Sequence, residues 1–233
     1  MQQVRSHRVD GIARLIVAGC LVGGPLAGIV VRAALPSPAT GSVARSVADY
    51  ASNAGATRAV LIADAFLFLL VPAALAATAL AWRRAPVLSL LAGLVSLIGW
   101  SAIVMLAAQD ALIAVAGRQV YAHGQGAAIA TSWSNESLVA GTIAAFIAGH
   151  LLGTILLGAA LWRARAIPRW AALCVALSMP LHLAAFLADF KLGDVGAWVL
   201  LLVGFAVCAR TYVTEGDVPA TGAEWRLSSG VPV

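Results

Sequence analysis

Long uncharged apolar runs constrain this chain more than any other feature. No Asp, Glu, Lys or Arg occurs from Leu15 to Val31, from Val87 to Gln109, or from Ser137 to Trp162. Runs of this length match a hydrocarbon core of about 30 Å, crossed by about 20 helical residues. A soluble domain is about half apolar and a quarter charged, whereas this sequence is 61% hydrophobic and 11% charged. The excess has to face lipid. No water is available there to satisfy loose backbone groups, so each crossing segment must be a helix or part of a closed barrel. The Ala, Leu and Gly content, without alternating ten-residue strands, selects helices. The expected fold is an all-α, polytopic transmembrane bundle of about six spans, placed in a cell membrane.

The expected spans cover 12–34, 59–82, 86–109, 137–162, 168–189 and 195–210, the last being the shortest. Cytoplasmic loops retain Lys and Arg during insertion. An N-in, C-in arrangement puts Arg5, Arg8, Arg14, Arg83, Arg84, Arg163, Arg165, Arg169, Arg210 and Arg226 inside, against Arg32, Arg45, Arg58, Arg118 and Lys191 outside. Both short basic turns, Arg83-Arg84 and Arg163-Ala-Arg165, then fall inside, and Trp82, Trp162 and Trp170 mark the same boundary. One transmembrane domain, 1–210, accounts for the chain, with 211–233 a short, disordered cytoplasmic tail. The charged opening before Leu15 imitates a secretory leader, but the apolar run is long for a signal core.

Two outer connections are long enough to carry structure. Val43, Val47 and Tyr50 recur at helical spacing and predict an interfacial helix over 41–53 with one apolar face. From Asp110 to Glu136 the third span overruns the bilayer and then meets turn formers, Tyr121-Ala-His-Gly-Gln-Gly and Thr131-Ser-Trp-Ser-Asn. Cys20, Cys174 and Cys208 lie within spans and form no CxxC pair, which points to neither a disulfide framework nor a zinc site. The net charge of +5 is distributed between apolar runs rather than on a soluble face, so nucleic acid is not an expected partner.

Three segments carry a family resemblance: Gly11-Ile-Ala-Arg14-Leu; Thr57-Arg58-Ala-Val-Leu-Ile-Ala-Asp64; and the stretch from Gly149-His150 through Gly158 and Trp162-Arg-Ala-Arg-Ala-Ile-Pro168-Arg-Trp. On these, the chain resembles the bacterial six-span membrane proteins called domain of unknown function 4386, over roughly residues 11–190. The resemblance implies a six-span topology and transfers no catalytic or binding residues.

Ionisable groups inside a bilayer are expensive and demand a reason. Asp64 lies about one and a half turns inside the second span, six residues from Arg58 and so on another face. It needs a partner from another helix or a wet recess. His150 and His182 are each 16 residues from Ala166, so a hairpin of the fourth and fifth spans puts them at one depth. That geometry permits a shared metal or a haem with two axial imidazoles. No CxxCH, HExxH or second histidine pair accompanies it, and the preferred expectation is no cofactor and no metal. Asp110, Glu136, Asp189 and Asp194 read as ordinary helix-end acids or as the rim of an outer vestibule completed by Arg58, Arg118, His123 and Lys191.

The expected partners are the bilayer and a small apolar or lipid-like ligand. Three functional classes follow. A binding, sensing or transport-type module would use Asp64, His150, His182 and Glu136 as its few polar ligand contacts. An intramembrane enzyme acting on a lipid or isoprenoid-like substrate would use Asp64 or Glu136 as acid and a histidine as base; no established catalytic arrangement is present, so this class is less favoured. A structural accessory subunit would use the same groups to lock helices together.

Overall fold

A computed structural model describes residues 2–37, 41–118 and 125–214, with side chains from residue 11 onward. Its ten helices are α1 (Gln2–Ala34), α2 (Val43–Ser52), α3 (Ala54–Leu67), α4 (Leu70–Ala81), α5 (Pro86–Ser101), α6 (Ile103–Arg118), α7 (Gln125–Asn135), α8 (Ser137–Ala164), α9 (Arg169–Leu187) and α10 (Lys191–Thr214). No strand occurs among the described residues. Five helical stretches are long and apolar enough to cross a membrane: Gly11–Ala34, the joined α5 and α6, α8, α9 and α10. The pair α3 and α4, bent by 41°, passes the same test only when the two are taken together, which makes six if the pair crosses as one broken span. Large apolar side chains stand on the outside of these helices, including Val87 at 72%, Ile98 at 61% and Ile62 at 56% exposure. A water-soluble surface does not present such continuous apolar area. The protein is an α-helical membrane bundle.

Close packing inside the bundle comes from small residues. Ala73, Ala77 and Ala81 form a fully buried stripe on α4, which packs against α1, α5 and α8. Gly99 on α5 and Gly149 on α8 face each other so closely that a Cβ on either would strike the partner's backbone. Gly153 meets Ser96 one turn further along, so the glycine spacing of α8 is an approach surface for α5. At one end of the bundle Arg84 donates from a guanidinium nitrogen to the Ala164 carbonyl at 3.2 Å. This bond puts the two short basic turns on the same side, opposite the end where Arg32 meets α10.

Four features differ from the sequence expectation. The second span is broken at Phe68-Leu69, where α3 and α4 meet at 41°. Pro72 has no N–H to donate, and its ring clashes with the carbonyl four residues earlier, that of Phe68. The connection 110–136 is mostly helical, since α6 continues to Arg118 and α7 forms from Gln125. Within α7 the apparent turn formers bond backward along the helix, Thr131 Oγ1 to the Ala127 carbonyl and Ser134 Oγ to that of Ala130, both at 2.8 Å. Residues 119–124, with His123, lie outside the described residues. The last span is not short: α10 runs from Lys191 to Thr214, so 211–214 are helical, and 215–233 lie outside the described residues. Finally, the apolar face of α2 is turned toward protein. Tyr50 is buried with Ile113, Ala114 and Ala130, and Val43 and Val47 pack onto this second, smaller core.

Candidate functional site

At the end of the bundle opposite the two basic turns, α1, α9 and α10 converge on three side chains that are far apart in sequence. Arg32 sits in the last turn of α1, His182 lies two residues after Pro180 on α9, and Asp194 occupies the first turn of α10. Asp194 accepts from Arg32 Nε at 2.6 Å through Oδ2, and from His182 Nδ1 at 2.5 Å through Oδ1. The guanidinium also lies 4.9 Å from the centre of the Phe186 ring, a cation–π contact. The Arg32 and Asp194 side chains are only 15% and 6% exposed. Asp194, expected to be an ordinary helix-end acid or part of the rim of an outer vestibule, is an interior anion held by two partners.

Behind this triad lies a packed aromatic cluster. The His150 ring is 5.9 Å from that of His182, stacks on Phe146 at 4.3 Å and stands 5.5 Å from Trp100. Trp198 closes the other side, 5.7 Å from His182 and 6.1 Å from Trp100. Its indole fits because Gly28 of α1 carries no Cβ at that spot. The two histidines are thus brought together at one depth. His150 Nδ1 meets the Phe146 carbonyl at 2.5 Å. A carbonyl only accepts, so Nδ1 carries the proton and Nε2 is left with a free lone pair. His150 Nε2, Trp100 Nε1 and Trp198 Nε1 are all buried without a hydrogen-bond partner. Unpartnered groups of these kinds, one acceptor and two donors, are the ones a buried water or a small hydroxyl or amino group can satisfy.

A second polar group stands where α2, α3 and α6 meet. Tyr50 OH donates to Asp110 Oδ1 at 2.8 Å, and Thr57 Oγ1 donates to the Tyr50 carbonyl at 2.8 Å. Burial first, and Asp110 second, push the Tyr50 phenol above its ordinary pKa, so it remains a neutral donor. Asp64 is 8% exposed, its Oδ2 has no hydrogen-bond partner, and its carboxyl is within electrostatic reach of that of Asp110. Two carboxylates within reach of each other and away from water repel unless a proton or another cation neutralises one of them. Arg32 is within electrostatic reach of Asp110 as well as bonded to Asp194. It therefore acts electrostatically on both polar groups.

The sequence-derived candidates divide accordingly. His150 and His182 share one aromatic cluster, Asp64 belongs to the neighbouring carboxyl pair, and Glu136 is exposed at the N-cap of α8 without a side-chain capping bond. Arg32, Asp194, Asp110 and Tyr50 complete the array, and sequence reasoning missed their roles. Among the described residues no group of three or more His, Cys, Asp or Glu side chains is arranged to hold a metal ion. From outside, a cavity of about 40 Å³ bordered by Arg32, Ser37, Phe186, Asp189, Lys191 and Asp194 reaches the triad. Such a space holds a few water molecules. Comparison with known proteins gives no matching family model, no matching curated protein and no matching solved structure.

Proposed function

We propose that the protein is a proton-linked binding module of the transport or sensing type, whose intramembrane polar pocket is entered from the outer end. The supporting observation is a charge imbalance. Asp194 is bonded to Arg32, Asp110 lies within electrostatic reach of the same guanidinium, and Asp64 lies within reach of Asp110, so three carboxyl groups are set against one guanidinium. Fully ionised, they leave two negative charges, and one even if His182 is protonated. An uncompensated charge away from water costs several kcal/mol, so the array must take up positive charge. A proton between Asp64 and Asp110 does this with the fewest atoms. The His182–Asp194 pair would then meet the bound solute, whose hydroxyl or amino group would satisfy His150 Nε2 and the two indole N–H groups. This reading keeps the cell-membrane location, with both termini cytoplasmic, and the kinship with the six-span bacterial family as parts of the same proposal.

The cluster is also packed tightly around Gly99 and Gly149, which favours a structural lock as the competing reading. Tryptophan fluorescence of nanodisc-embedded protein separates the two, because an imidazolium or a ligand beside Trp100 and Trp198 changes their emission. Stepwise acidification and addition of small amines or alcohols should change the emission in wild type, and the response should vanish in His150→Gln and His182→Gln variants that keep their fold. Emission insensitive to both treatments would leave only the lock.

A further inference from the structure

Outside the array, the face formed by α2, α3 and the end of α6 carries a cleft of about 520 Å³. Its upper end holds two guanidinium side chains, Arg58 near the start of α3 and Arg118 in the last turn of α6, both exposed. Neither has an ion-pair partner among the described residues. Below them the lining is apolar, with Leu61, Ile62, Ala65 and Phe66. Arg58, Ile62 and Phe66 are spaced by four, so they share one face of α3. That face leads about 12 Å from the charged head into the hydrocarbon layer.

A second groove, of about 450 Å³, runs between α1 and α3 past Gly23, Leu26 and Val30, and Ile62 and Phe66 line it too. The two side chains therefore form a ridge between two furrows. We infer that this face binds one anionic diacyl phospholipid, its phosphate between Arg58 and Arg118 and its two acyl chains on either side of the Ile62–Phe66 ridge. Paired guanidinium groups suit a phosphate, to which each can donate two parallel hydrogen bonds. A zwitterionic head brings its own cation and gains less. Free phosphate would leave both furrows open, and a single-chain fatty acid would fill only one. A soluble peptide has no reason to prefer a site that continues into the bilayer core.

The purified protein in neutral detergent is titrated with dioleoylphosphatidylglycerol, dioleoylphosphatidylcholine, oleate and inorganic phosphate, with retention read by native mass spectrometry. The phosphatidylglycerol should be retained in preference to the other three. Arg58→Gln and Arg118→Gln should each weaken retention about tenfold, one charge-assisted contact amounting to roughly a decade of affinity. Arg58→Lys, which keeps the charge but cannot make the parallel pair of bonds, should fall between wild type and Arg58→Gln. Ile62→Ala with Phe66→Ala, which removes the ridge without touching charge, should weaken retention of two-chain lipid and leave that of oleate unchanged. Equal retention of phosphatidylcholine and phosphatidylglycerol would overturn the inference. So would a preference for phosphatidylglycerol that survives loss of both arginines, and oleate or phosphate matching it would overturn the two-chain assignment.

Discussion

Replacing Asp194 by Asn should destabilise the protein far more than an ordinary surface change, because it leaves the buried guanidinium of Arg32 without the one carboxylate bonded to it. The amide oxygen of Asn can still accept from His182 Nδ1, so the substitution removes the charge and little else. The lost contact is a 2.6 Å ion pair whose partners are 15% and 6% exposed. Breaking such a pair from one side costs about 3–5 kcal/mol, which for a chain of this size lowers the melting temperature by on the order of 10 °C. Arg32→Met should cost less, since Asp194 retains His182, which can take up a proton. The double variant Arg32→Met, Asp194→Asn carries neither charge and should be more stable than Asp194→Asn alone. Thermal unfolding in detergent, followed by circular dichroism across the four proteins, completes the cycle. Additive effects, with a coupling below about 0.5 kcal/mol, would show that the pair is not an interior ion pair and would refute the reasoning.

Gly149→Leu should drive α8 away from α5 at Gly99 and abolish the fold, whereas Gly141→Leu, where nothing lies within 4 Å of the added carbon, should be tolerated; expression and gel-filtration profiles distinguish the two. Tyr50→Phe removes the donor to Asp110 at 2.8 Å and should cost about 1.5–3 kcal/mol, the range for a hydrogen bond to a charged group, measured by the same thermal unfolding. In a cysteine-free background, Ser132→Cys should react with an impermeant thiol reagent added outside intact cells and Arg83→Cys should not; the reverse pattern would invert the topology.

Spans were legible in the sequence because a charge-free run in a bilayer has few alternatives, and the two basic turns announced their common side. The break at Phe68-Leu69 was not legible from Pro72 alone, since the response of the preceding turn to a proline depends on what α4 packs against. The helix α7 was hidden because Thr131 and Ser134 serve equally as turn formers or as hydroxyls bonded to a preceding carbonyl, and tertiary packing decides. His150 and His182 were placed together by simple counting along a hairpin. Asp194 was not, because its guanidinium partner is 162 residues away and no local pattern links the end of α1 to the start of α10. Asp110 was likewise read as a helix-end acid, although Tyr50 and Asp64 reach it from two other helices.

The claim at the centre of this account is that the acid-rich array holds a proton between Asp64 and Asp110. Infrared spectroscopy of the reconstituted protein at neutral pH, with and without deuterium exchange, reads it directly through the carbonyl stretch of a protonated carboxylic acid. The account predicts such a band in wild type, its loss in Asp64→Asn and in Asp110→Asn, and its persistence in Asp189→Asn. A wild-type spectrum with only ionised carboxylates, or a protonated band unchanged by Asp64→Asn and Asp110→Asn, would contradict it.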